Sequence, residues 1–246
     1  MSASTYSNSR ERMLARLRAA SPTSTAIDDI ATLSRRIDAH YASRAERRAI
    51  AGQDPTTTFQ TMLEAAHAQV WRTDTTSWPT LLARLLHEAG IRRLLLDPAR
   101  AEGAALSRAL LPSVEALSYS RPLERWKTEL FDTVDAGFTV ARSGIAVTGT
   151  LILAPDEGTP RTVSLVPPLH IALVYARTLH VDLHAAMQTE RWAAGMPTNL
   201  VLVSGPSKTS DIQQTLAYGA HGPSGLWVVI VEQGDAAQRS THGGTP

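Results

Sequence analysis

The stretch Trp78–Leu111, WPTLLARLLHEAGIRRLLLDPARAEGAALSRALL, decides the fold. From Trp78 to Ala89, leucines recur at helical spacing behind Pro79, and Gly90 stops the pattern. Ile91–Leu96 is a short apolar run of strand length, and Pro98–Leu111 reopens with proline and returns to helical spacing. Helix, strand and helix at this interval is the rhythm of a mostly parallel sheet flanked by helices. Downstream, apolar runs of strand length follow one another: Phe138–Ala141, Ile145–Ala154, Thr162–Val166, Ile171–Tyr175, Leu200–Val203 and Leu226–Val231. They read as buried strands, with Asp182–Ala194 and Asp211–Tyr218 as the helices among them. Upstream, residues 1–67 are rich in Ala, Arg and helix formers and are interrupted at Gly52-Gln53-Asp54-Pro55. The expected organisation is therefore a helical N-terminal arm over 1–67, an α/β domain over 68–233, and a polar, disordered tail over 234–246.

The 246 residues are 43% apolar and 19% charged, enough to bury a core. With 24 Lys+Arg against 23 Asp+Glu, the net charge of +1 gives no electrostatic case for nucleic acid or a membrane surface. The cysteine count is zero. A disulfide framework, a thiolate zinc site, a cysteine nucleophile and a cysteine-ligated iron–sulfur cluster are thus excluded from this chain. The best uncharged run, Thr162–Ala176, is broken by Pro167 and Pro168, so no membrane span is expected. Ser2–Thr25 carries Arg10, Arg12, Arg16 and Arg18 against the single acid Glu11, a composition shared by transit peptides and amphipathic helices. Met13, Leu14 and Leu17 at helical spacing favour the helix, and with it a cytoplasmic address.

The segment Leu200–Pro223, LVLVSGPSKTSDIQQTLAYGAHGP, bears most of the chemistry. A buried strand enters a turn at Gly205-Pro206, and Ser210-x-x-Gln213 is a capping-box pattern for a helix start. Strand, small-residue loop and helix start form an anion cradle: free backbone N–H groups, the helix dipole and the Lys208 ammonium converge. The alternative is that Ser207, Thr209 and Ser210 only cap the helix while Lys208 is solvated. A Walker A loop is excluded, since Leu202 and Ser207 stand where its glycines belong, and no G-x-G-x-x-G occurs.

Ser143–Ala154, SGIAVTGTLILA, interrupts an apolar strand with Thr148-Gly149-Thr150, the mark of a bulge, a kink or a close approach of ligand or backbone. Arg161 and His170 flank a predicted strand; the arginine reads as a salt-bridged surface group and the histidine as a hydrogen-bonded structural one. His180 and His184 share a helix spacing but lack the glutamate and further ligands of a zinc motif. His221, on a Gly-Pro turn after the predicted helix, is placed to return toward Lys208 as a donor or an acid–base group, or else is a turn residue. Asp211 is the other proton-transfer candidate. Thr148, Gly149, Thr150, Ser204, Gly205, Ser207, Lys208, Thr209, Ser210 and His221 are expected on one pocket, at the carboxyl edge of the sheet.

Ser204-Gly-Pro-Ser-Lys-Thr-x-Asp-Ile212, the later His221-Gly-Pro223, and the upstream GIAVTGTLIL and RTVSLVPPLHIALV together resemble the LUD-domain family, and within it the lactate utilization protein C subfamily. The resemblance is strong over Asp135–Glu232. Val147 departs from it, because many relatives carry an acidic residue just before Thr-Gly-Thr. The resemblance implies a core similar to the sugar-phosphate isomerase and CoA-transferase group (the NagB/RpiA/CoA-transferase-like fold). It also implies lactate oxidation to pyruvate as the setting and iron–sulfur proteins as partners. Two functions follow as expectations: an accessory subunit of L-lactate utilization that binds a small anionic ligand, or a free-standing CoA-transferase-like or sugar-phosphate-type enzyme.

Overall fold

The structure is a computed structural model and describes residues 9–20, 29–50, 54–210 and 216–233. The chain divides into two compact units, Met1–Ala51 and Gly52–Pro246. The first holds α1 (Ser9–Ala20) and α2 (Ile30–Ile50). The predicted tail over 234–246 lies outside the described residues.

The second unit runs α3 (Pro55–Ala65), β1 (Gln69–Asp74), α4 (Trp78–Glu88), β2 (Arg93–Leu95), α5 (Ala101–Ala109), β3 (Glu115–Leu117), α6 (Lys127–Asp132) and β4 (Ala136–Val140). It continues with β5 (Ser143–Ile145), β6 (Thr150–Leu153), α7 (Arg161–Leu165), β7 (Leu169–Tyr175), β8 (Leu179–His180), α8 (Leu183–Thr189) and α9 (Trp192–Gly195). The last strands are β9 (Val201–Val203), β10 (Lys208–Ser210), β11 (Leu216–Tyr218) and β12 (Gly225–Glu232). Six strands form an all-parallel sheet in the order β1-β12-β7-β4-β2-β3, with β7 and β4 at its centre. A second, mixed sheet has the order β8-β5-β6-β9, and β10 pairs with β11 as an antiparallel hairpin.

Side chains alternate across a strand, so β7 and β12 feed two cores at once. Ile171 and Leu173 of β7, with Val229 and Val231 of β12, pack beneath Trp78, Leu82 and Leu86 of α4 and Leu106 of α5. Ala172, Val174, Val228 and Ile230 face the other way, onto Phe59 and Leu63 of α3 and Leu151 and Leu153 of the second sheet. The second sheet's outer face buries Ile145 and Ile152 against Ala186 of α8. Both faces of the parallel sheet are therefore covered, which is why its central strands are apolar almost throughout.

Helix α3 belongs to this core. Asp54 caps it by accepting from the Thr57 backbone N–H at 2.9 Å, Pro55 opens its first turn, and Phe59 and Leu63 are fully buried. The two units divide between residues 51 and 52, ahead of the expected 67/68 boundary, and the apolar face of α3 packs on the parallel sheet.

Three local expectations are corrected. Residues 162–166 are not a strand: Arg161–Leu165 is the helix α7, set between Pro160 and Pro167 and buried through Val163 and Ser164. Residues 145–154 are not one strand but the hairpin β5/β6, turned by a 3-10 segment at Ala146–Thr148 and by Gly149 in the left-handed region. The segment read as a helix from Ser210 to Tyr218 holds strand at both ends: Lys208–Ser210 pairs with Leu216–Tyr218, and residues 211–215, Asp211 among them, lie outside the described residues.

Candidate functional site

The loop after β9 is held at both ends by backbone. The Ser207 N–H donates to Pro223 O at 2.8 Å, and Ser207 O accepts from the Gly219 N–H at 2.9 Å. One of the amides expected to cradle an anion is thus already used. Gly205, at φ +155, lies so close to the end of α3 that a Cβ there would stand 3.0 Å from Ala66 O. That helix ends in a Schellman pattern, with the Ala68 N–H donating to Leu63 O at 3.0 Å and the His67 N–H to Glu64 O at 2.9 Å. The left-handed position, usually glycine, is His67 at φ 67. Its ring meets Tyr218 edge to face, centroids 5.9 Å apart. Together Ala66, His67, Ser204, Gly205, Pro206 and Lys208 wall an open cavity of about 440 Å³.

Thr148 and Thr150 hydroxyls are 2.7 Å apart, and Thr150 Oγ1 lies 2.7 Å from Ser204 Oγ, joining the β5/β6 turn to the loop. Gly149 faces α3: an added Cβ would stand 2.8 Å from Leu63 N and 2.9 Å from the Met62 carbonyl carbon. Its missing side chain makes room for a helix backbone.

A second cavity, of about 220 Å³, shares Ser204–Pro206 with the first but is lined by Ser164, His170, Ser207, His221, Gly225 and Leu226. His170 and Leu226 are the second residues of β7 and β12, so this cavity sits at the amino-terminal edge of the parallel sheet, against β9. The strand that delivers the loop, β9, belongs to the mixed sheet, and so the rule placing ligands at carboxyl edges of parallel strands does not govern it. Lys208 and His221 line different cavities. Thr209 pairs with Ala217 in the hairpin, Ser210 is a strand residue, and Lys208 lies beside the loop at the wall of the larger cavity.

His170 is 1% exposed, and burial pushes its pKa down to about 4, so the ring is neutral at pH 7. Its Nε2 lies 2.9 Å from Thr139 Oγ1. His67 and Ser164 escaped sequence reasoning. The signal for His67 was a helix end, Glu64-Ala-Ala-His67, that lacks the usual glycine.

His180 is paired differently from a metal ligand: its Nε2 lies 3.5 Å from Glu190 Oε1. The same carboxylate accepts from Trp192 Nε1 at 3.0 Å and from the Ser143 hydroxyl, and Arg142 Nε is 2.8 Å from Oε2. Burial raises the Glu190 pKa, but the two hydrogen bonds and the Arg142 charge outweigh it and hold the carboxyl below its usual value of 4.5. A depressed carboxylate stabilises the fold above its unfolded pKa and loses that contribution as pH falls through its folded pKa. Glu190→Gln is expected to lower stability at pH 7 by ~2 kcal/mol, the scale of charge-assisted bonds lost from a half-buried group. It should also flatten the acid limb of stability against pH, which urea titrations between pH 7 and pH 3 will read.

The LUD domain family model matches residues 56–231. An uncharacterized protein of Neisseria meningitidis serogroup B is 40% identical over 171 residues, 69% of this chain and 73% of that protein. The lactate utilization protein C of Shouchella clausii is 32% identical over 107 residues, 42% of this chain, and that of Halalkalibacterium halodurans is 32% identical over 108. Each of these two matches spans 47% of the relative, about half its length. Among solved structures, a DUF162 family protein from Deinococcus radiodurans superposes with a TM-score of 0.54 at 24% identity, over 72% of this chain and 96% of that one. That likeness is one of fold.

Proposed function

Since the chain belongs to the LUD-domain family, we propose that it serves lactate utilization, as an accessory subunit in the oxidation of L-lactate to pyruvate beside iron–sulfur partner proteins. The observation that carries this reading is the 32% identity to proteins named lactate utilization protein C. The absence of cysteine supports the division of labour, since thiolate-held clusters must then reside on other chains. No helix among the described residues is long and apolar enough to cross a membrane.

The ligand in this reading is a small anion at the loop Ser204–Lys208. Lys208, exposed beside His67 and Ser204, supplies the positive charge that a carboxylate or phosphate requires. Deleting the gene is expected to abolish growth on L-lactate while leaving growth on pyruvate intact, and complementation should restore it. Lys208→Ala should weaken anion binding by about tenfold, the loss of one charge-assisted contact. Unimpaired growth of the deletion strain on L-lactate would refute the reading.

A further inference from the structure

The smaller cavity, between β9 and the amino-terminal ends of β7 and β12, has chemistry of its own. Its wall contains Ser164, Ser204, Ser207 and His221 beside the apolar Val203 and Leu226, and among the described residues no lysine, arginine, aspartate or glutamate contributes to it. Into that wall the parallel sheet sets His170, a residue with 1% exposure where leucine or phenylalanine would have completed the core. A neutral imidazole has one N–H and one lone pair. Thr139 Oγ1, 2.9 Å from Nε2, satisfies one of them, and the buried Nδ1 has no partner among the described residues. An unmet polar atom in so buried a place forfeits its hydration, and such atoms call for an explanation in a bound group.

We infer that this cavity is a binding site for a small, uncharged hydroxyl compound, whose hydroxyl bonds His170 Nδ1. A hydroxyl both donates and accepts, so it completes Nδ1 in either tautomer, and further hydroxyls on a short carbon skeleton meet the serines. An anion is disfavoured here, because among the described residues no lysine or arginine lines the cavity to offset its desolvation. The site thus differs in place and in ligand chemistry from the Lys208 side of the loop, and it stands or falls independently of a role in lactate metabolism.

The test follows His170 by two-bond proton–nitrogen spectra of the full chain, with glycerol as probe and inorganic phosphate as control. Glycerol is expected to shift the Nδ1 resonance saturably, and phosphate to leave it in place. Two variants separate ligand binding from packing. His170→Gln retains a group near Nε2 for Thr139 but loses the one at Nδ1, and should bind glycerol about tenfold more weakly. His170→Asn keeps a polar group near Nδ1 and should bind within about threefold of the natural chain. An Nδ1 resonance unmoved by glycerol would mean that only water completes the ring and would overturn the site. So would a response to phosphate equal to that to glycerol, or equal affinity in the two variants.

Discussion

Replacing Gly149 with alanine is expected to destabilise the second unit by ~3 kcal/mol. Two effects add. The residue sits at φ +57, a conformation that costs an L-residue roughly 1–2 kcal/mol. The new Cβ would also stand 2.8 Å from Leu63 N and 2.9 Å from Met62 C, atoms of helix backbone that can retreat only by moving α3. Overpacking of that kind costs ~1–3 kcal/mol more. Urea unfolding should show a lower midpoint with an unchanged slope. Asparagine, which tolerates the left-handed region, relieves the first effect but not the second, so Gly149→Asn should remain destabilised. If the glycine instead served ligand approach, alanine would leave the midpoint where it is and remove only binding.

Larger still is the effect expected of the domain boundary. A chain beginning at Gly52 should unfold cooperatively on heating, and one beginning at Ala68 should show no cooperative transition. The difference is α3, whose Phe59 and Leu63 are 0% exposed within the core beneath β7 and β12. Truncation of such a phenylalanine and leucine costs ~2–5 kcal/mol apiece, and the pair alone approaches the ~5–15 kcal/mol that holds a whole domain together. Removing the helix also strips cover from the apolar faces of Val174, Val228 and Ile230. Circular dichroism melting of the two fragments decides the matter, and a sharp transition in the shorter one would return α3 to the arm.

The α/β class was legible because its signals are local and redundant. Trp78–Leu111 carries helix, strand and helix in one short stretch, and the runs at Ile171–Tyr175 and Leu226–Val231 are too apolar for anything but a strand covered on both faces. The loop residues were legible as a group, and Thr150 and Ser204 do meet. Their arrangement was not. A capping-box pattern at Ser210 describes what the segment would do if free. Ser207, bonded to both Pro223 and Gly219, fixes the neighbouring residues as a hairpin instead. In the same way Val163 and Thr162 favour a strand by type, yet Pro160, Pro167 and the burial of Val163 make that segment a helix.

From the chain alone came the composition that excludes thiolate chemistry, the alternating pattern that sets a parallel sheet, and the motifs that mark the loop after β9. Tertiary structure alone decided that Gly149 yields to a helix and that Lys208 and His221 open onto different cavities. It also left His170 at a cavity wall with one nitrogen unpaired among the described residues. The physical reason is the range of the forces involved. Periodicity and turn preference act over a few neighbouring residues and so are written in order along the chain, whereas steric room, hydrogen-bond partners and desolvation at one point are set by residues distant in sequence, which meet only when the sheets close on α3.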